Sequence, residues 1–198
     1  MRTLLPLFLD VANRDVLLVG GGSVAAAKLR QLRAAGARVR VVSPRVVPDI
    51  REVEIAQRGF EPSDLDGVWL AIAAATPDVN REVAAAAEAR HIFVNAVDDP
   101  ANATAYLSGV VRRGDVTIAI STSGDAPALT SLVREALDAV LPHDLADWVE
   151  TARKQRIRWR RDGVAMERRK PLLLRALNQL YRDGAGMPWL SGPEDSWL

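Results

Sequence analysis

Apolar residues along the first half of the chain come in two alternating patterns: short β-branched runs, and stretches in which they fall at helical spacing. Val16-Leu17-Leu18-Val19 reads as a strand that stops at three glycines. Residues Ala25 to Ala35 follow as a helix, with Ala26, Leu29, Leu32 and Arg33 at its spacing and Gly36 where a terminating glycine belongs. Val39 to Val42 is a second strand, ending at Ser43-Pro44, and Ile50 to Phe60 holds a short element and a third strand. Glu61-Pro62-Ser63-Asp64-Leu65 reads as the start of a helix. Trp69 to Ala75 is nearly all apolar, the signature of a strand buried on both faces. An alanine-rich helix over Pro77 to Arg90 and a strand over Ile92 to Val97 complete the series. This alternation predicts a parallel, doubly wound α/β sheet. Leu4 to Leu9, apolar and ahead of the first strand, is expected to lie as a lead-in against that sheet.

The pattern then changes. Val116 to Ile120 alternates as a half-exposed strand, the loop Ser121-Thr122-Ser123-Gly124-Asp125 follows, and Pro127 to Val140 is an amphipathic helix. From Leu145 the chain reads as two further helices broken near Asp162-Gly163. The turn-rich tail after Gly184 is expected to be loosely ordered, and no internal repeat is present.

Between the first strand and the first helix the glycines fall as Gly20-x-Gly22-x-x-Ala25, the spacing of a dinucleotide-binding turn with alanine in its third place. Gly20 lets the chain turn off the strand, Gly22 lets backbone approach a pyrophosphate, and Ala25 lets the helix pack on the sheet. Backbone N–H groups over Gly22, Ser23 and Val24, at the positive end of the helix dipole, would hold the phosphates. Glycine-rich turn chemistry alone is the competing explanation. At the end of the second strand, where a ribose-binding acid is expected, stand Ser43-Pro44-Arg45; Arg45 either meets a 2′-phosphate or is one more surface arginine. Asp98-Asp99 follows a strand at the carboxyl edge, where ligands of such sheets bind. That pair is either an acidic turn before Pro100 or a proton acceptor. Ser121-Thr122-Ser123-Gly124 caps the helix that follows and can also face a substrate.

Composition narrows the classes. The chain has 198 residues, 48% hydrophobic and 26% charged, as an ordinary globular protein does. With no cysteine there is no disulfide, thiol nucleophile or cysteine metal site, and with His91 and His143 alone there is no histidine cage, so no metal site is expected. No apolar run is long enough for a membrane span, and the N-terminus turns acidic too soon for a signal peptide, so a cytoplasmic protein without a membrane partner is expected. Charge is unevenly spread. From Trp148 to Arg182 eleven Lys and Arg stand against three acids, a local +8 that leaves −7 on the rest of a chain whose total is +1. The run Arg153-Lys154-Gln155-Arg156-Ile157-Arg158-Trp159-Arg160-Arg161 is a solvated face, a nucleic-acid surface or a cationic wall for a polycarboxylate; nucleic acid ranks below the last.

Five segments occur in an order that resembles the precorrin-2 dehydrogenase family, found alone or as the N-terminal part of siroheme synthases. They are Pro6-Leu7-Phe8-Leu9, Val19-Gly20-Gly21-Gly22-Ser23-Val24-Ala25, Ala71-Ile72-Ala73-Ala74, Val94-Asn95-Ala96-Val97-Asp98-Asp99 and Ile118-Ala119-Ile120-Ser121-Thr122-Ser123-Gly124. The resemblance implies a Rossmann domain over 1–112, a dimerisation segment over 113–145 and a helical C-terminal domain over 146–198, assembled as a homodimer. It implies oxidation of the tetrapyrrole precorrin-2 to sirohydrochlorin with NAD as hydride acceptor, and, in some members, insertion of ferrous iron as a co-substrate. Under it the proton acceptor lies in the acid pair, with Asp99 preferred and Asp98 next. Asn95, Ala73 and Ala74 would line the nicotinamide, and Ser121, Thr122, Ser123 and Gly124 would meet the substrate. One departure stands in Tyr106-Leu107-Ser108-Gly109, which lacks the proline the family usually shows there. The alternative class is a dinucleotide-sensing module without catalysis, its basic helices binding DNA or another polyanion.

Overall fold

The computed structural model describes residues 4–182. The tail after Gly184 lies outside the described residues.

The central strand β1 (Asp15–Val19) carries Val16, Leu17, Leu18 and Val19, each almost completely buried. It pairs in parallel with β2 (Arg38–Val42) on one side and with β4 (Leu70–Ala73) on the other. Outside these lie β3 (Glu54–Ala56) and β5 (Phe93–Ala96), giving the order β3-β2-β1-β4-β5. Alternate side chains serve opposite faces. Leu17 and Val19 join Ala71, Ala73, Val94 and Ala96 beneath Val83 and Ala87 of α2 (Pro77–Glu88). Val16 and Leu18 join Leu70 and Ile72 beneath Ala25, Ala26, Leu29 and Leu32 of α1 (Ser23–Ala34). Burial of each such leucine stabilises the fold by about 1.5–3 kcal/mol. The order in which strands are added to the sheet reverses between β1 and β4, which opens a crevice at their carboxyl ends.

Four local points differ from the sequence reading. Helix α1 begins at Ser23, two residues early, because Gly22 takes an extended backbone and caps it. The lead-in does not pack on the sheet: Leu5, Leu7, Phe8 and Leu9 are all exposed. A strand, β6 (Gly109–Arg113), escapes the sequence reading because two valines followed by two arginines give no period of two. It pairs with β7 (Val116–Ile120). The helix expected from Glu61 is a single 3-10 turn, Pro62–Leu65, held by Asp64. That buried carboxylate accepts from Arg58 Nη1 and Nη2 at 2.8 and 2.7 Å and from the Glu61 N–H at 2.9 Å.

The chain forms two compact units: residues up to Gly109 with Ile120–Leu132, and Val110–Ala119 with the residues from Val133 onward. Ile120–Leu132 therefore groups with the sheet rather than with the segment that follows it in sequence. In the second unit α4 (Leu145–Arg161) and α5 (Met166–Arg182) are broken at Asp162-Gly163 as expected, Gly163 supplying a φ of +65°. Val111, Leu145 and Leu177 are its buried apolar side chains among the described residues. Helix α3 (Pro127–Val140) runs from one unit into the other and buries no residue. No described helix is long and apolar enough to cross a membrane.

Candidate functional site at the carboxyl edge

Three glycines at the end of β1 have three different reasons to be glycine. Gly20 has a φ of +126°, and a Cβ there would come within 2.2 Å of Ala74 O, across the crevice on the end of β4. A Cβ on Gly21 would lie 1.8 Å from Arg45 O and 2.7 Å from Ser43 Oγ. The Gly21 carbonyl also accepts from the Val47 N–H at 2.8 Å, so the loop after β2 is seated on the glycine turn. Around Gly22 nothing lies within 4 Å of the Cβ position. Only there does the missing side chain leave open space. Gly22, Ser23 and Val24 are exposed, α1 has no side-chain cap, and its first turn holds no acid. The N–H groups of that turn are thus free to meet an anion. Sequence spacing singles out Gly20 and Gly22; Gly21, an unspecified place in the motif, is the position it misses.

The other predicted cofactor residues line the same edge unequally. Ser43 is buried and donates its hydroxyl to Arg45 O at 2.7 Å, while Pro44 and Arg45 are exposed. Ala73 is fully buried in the core on the α2 side, so it forms the crevice wall through its backbone. Ala74 donates its N–H to Val19 O at 2.8 Å, and its own carbonyl faces Gly20. Asn95 is buried and donates Nδ2 to Ala105 O at 3.0 Å, but its Oδ1 has no partner. Sequence reasoning overlooks Asn80. Its buried side chain accepts from the Ala75 N–H at 3.1 Å and donates to Val97 O at 3.5 Å, tying the ends of β4 and β5 together.

The acid pair follows β5. Asp98 is exposed, in a left-handed backbone with φ of +56°. Asp99 is half-buried, and its Oδ2 accepts from Asn102 Nδ2 at 2.7 Å, so that carboxylate is engaged by its own loop. Asp98 is electrostatically coupled to Lys28 of α1: burial pushes the Lys28 ammonium below the usual lysine range, and the Asp98 charge opposes that shift. Of the two acids, only Asp98 is among the charges that act on Lys28.

The loop Ser121–Gly124 joins this edge. Ser121 Oγ accepts from the Ser123 N–H at 3.1 Å, and Thr122 Oγ1 accepts at 3.3 Å from the N–H of Ala126, the residue before α3. Gly124 lies against Pro100, the residue after the acid pair: a Cβ on it would stand 3.0 Å from Pro100 Cγ. A groove of about 300 Å³ lies apart from these residues, between Arg81, Ala85 and Glu88 of α2 and the stretch Asn102 to Thr104. Among the described residues no cluster of three or more His, Cys, Asp or Glu could hold a metal ion. On α4, Arg153 is paired with Asp115 at 2.7 Å, Lys154 with Glu150 at 3.3 Å and Arg161 with Asp162 at 2.7 Å, whereas Arg156 and Arg160 are exposed.

A 3-2-1-4-5 parallel sheet with an open glycine turn at its switch point defines a dinucleotide-binding protein. Residues 7–109 match the NAD(P)-binding family model, and the chain belongs to that family. Residues 113–139 match a second model, the central segment of sirohaem biosynthesis proteins. The chain is 38% identical to a siroheme synthase of Zymomonas mobilis over 184 residues, covering 89% of this chain and 39% of that protein. It is 38% identical to a siroheme synthase of Photorhabdus laumondii over 181 residues, covering 88% of this chain and 38% of that protein. The chain therefore spans about two fifths of the length of these curated relatives. Among solved structures, SirC, a precorrin-2 dehydrogenase, superposes with a TM-score of 0.69 at 24% identity, covering 92% of this chain and 94% of that one. That likeness establishes the fold.

Proposed function

We propose that the chain oxidises precorrin-2 to sirohydrochlorin with NAD, in the cytoplasm, on the route to siroheme. The observation that carries this reading is the meeting, at one sheet edge, of an open glycine turn and a carboxylate not engaged by its own loop. The fit to a dinucleotide rests on the empty space at Gly22 and on the unpartnered, buried Asn95 Oδ1. The amides from Gly22 to Val24 would hold the pyrophosphate, and the Ser43-Pro44-Arg45 edge would meet the adenosine ribose. Asn95 Oδ1 would accept from the nicotinamide carboxamide. Bound NAD supplies the hydride acceptor. Asp98 takes the proton that leaves the tetrapyrrole, and Asp99, occupied by Asn102, shapes the loop; this reverses the order preferred from sequence. The hydroxyls and amides of Ser121–Gly124 meet the substrate's carboxylates.

The curated relatives are named as siroheme synthases, which favours an enzyme over a non-catalytic sensor holding DNA. If ferrous iron is inserted, the pyrrole protons also go to Asp98. Exposed Leu129, Leu132 and Val140 on α3 support a homodimer. The test is anaerobic incubation with precorrin-2 and either NAD or NADP, followed by NADH or NADPH absorbance. NADH should form, and faster than NADPH. Dinucleotide binding with no reduction of either cofactor would overturn the enzyme in favour of the sensor.

A further inference from the structure

The acid-bearing loop and the Ser121–Gly124 loop are distant in sequence, yet one side chain bridges them. The Tyr106 hydroxyl donates to Pro100 O at 3.1 Å, and its ring edge lies 3.5 Å from where a Gly124 Cβ would stand. We propose that Tyr106 is a positioning residue that clamps the Asp98–Pro100 loop and the Ser121–Gly124 loop into one rigid edge. The clamp rests on the dehydrogenase reading above for its catalytic consequence, but its geometry does not.

Tyr106 is itself presented from a fixed segment. Thr104 Oγ1 accepts from the Val94 N–H at 2.8 Å, and Val94 O accepts from the N–H groups of Thr104 and Ala105 at 2.9 and 2.8 Å. Asn95 adds its bond to Ala105 O. The residues just before the tyrosine are therefore pinned to β5. On the far side of the clamp, Pro100 has its φ fixed by its ring, and the short turn Pro100–Asn102 is closed by the bond from Asn102 to Asp99. Pushing on Pro100 therefore moves Asp98 and Asp99 with it. Gly124, at φ of +86°, brings the second loop into contact without a side chain in the way. A methyl group there would press on Pro100, at 3.0 Å, and touch the tyrosine ring, at 3.5 Å.

Two variants test the clamp. Tyr106→Phe keeps the ring and removes the hydroxyl; Gly124→Ala adds the methyl. With a small displacement of the base, kcat should fall about tenfold in Tyr106→Phe, with NAD affinity and the melting midpoint unchanged, and toward about 10²-fold in Gly124→Ala, whose left-handed φ also lowers the melting midpoint. In the protein without ligands, amide hydrogen exchange should accelerate in both loops of Tyr106→Phe and not in β1 or α1. In Tyr106→Phe, unchanged kcat with unchanged exchange overturns the clamp, as does a loss of activity that merely tracks a lower melting midpoint. If the wild-type protein does not oxidise precorrin-2, the dehydrogenase reading fails and the exchange data decide alone: acceleration in both loops supports the clamp, and acceleration in one or neither overturns it.

Discussion

Helices α1 and α3 are both amphipathic, yet their apolar faces meet opposite fates. Helix α1 buries Ala25, Ala26, Leu29 and Leu32 against the sheet, while α3 buries nothing and leaves Leu129, Leu132 and Val140 exposed. Amphipathic pattern thus says that a face seeks apolar contact, not that the same chain supplies it. In the sheet unit the partner is in the chain, and the candidate site lies at the sheet's carboxyl edge. For α3 the partner in our reading is a second copy.

The largest effect that sharpens this contrast is Leu17→Ala, which removes a fully buried side chain from the central strand. It should cost about 3–4 kcal/mol, read from chemical denaturation. Leu132→Ala should leave monomer stability within about 0.5 kcal/mol and instead weaken self-association in sedimentation. Equal losses from both would break the comparison.

Next comes Asp64, whose carboxylate is 2% exposed. The hydrogen bonds from Arg58, with the Glu61 N–H and the Arg40 charge, hold its pKa below the usual carboxylate range against the opposing cost of burial. The folded value lies below the unfolded one, so this stability is complete above the unfolded range, near pH 4–5, and is lost as pH falls through the folded value. Asp64→Asn should cost about 3 kcal/mol at neutral pH and flatten that acid loss, seen in melting midpoints taken from pH 7 downward.

Smaller in stability is the contrast within the glycine turn. Gly21→Ala must displace Arg45 O and should cost about 1–3 kcal/mol. Gly22→Asp, facing open space, should leave the melting midpoint nearly unchanged and abolish NAD binding in calorimetry. Retained binding in a folded Gly22→Asp protein would remove the cofactor assignment.

The fold was legible where one physical demand dominated. Val16–Val19 and Leu70–Ala73 are buried on both faces, so hydrophobicity alone marks them, and Gly36 and Gly163 take the left-handed turns that end their helices. Gly21 and Asn80 were not legible, because their constraints come from Arg45 and Val97, contacts made only once the chain has folded. The surroundings of the two adjacent aspartates were not legible for the same reason. Sequence places both at the edge, and only the bond from Asn102 shows which carboxylate is occupied.

The central claim is that Asp98, at the same sheet edge as the glycine turn, is the base of an NAD-dependent oxidation. The direct measurement is NADH formation at saturating precorrin-2 and NAD for wild type, Asp98→Asn and Asp99→Asn, with NAD affinity measured beside it. The account predicts that Asp98→Asn binds NAD normally and turns over about 10²–10⁴-fold more slowly, with a smaller loss in Asp99→Asn. Near wild-type turnover in Asp98→Asn would contradict it.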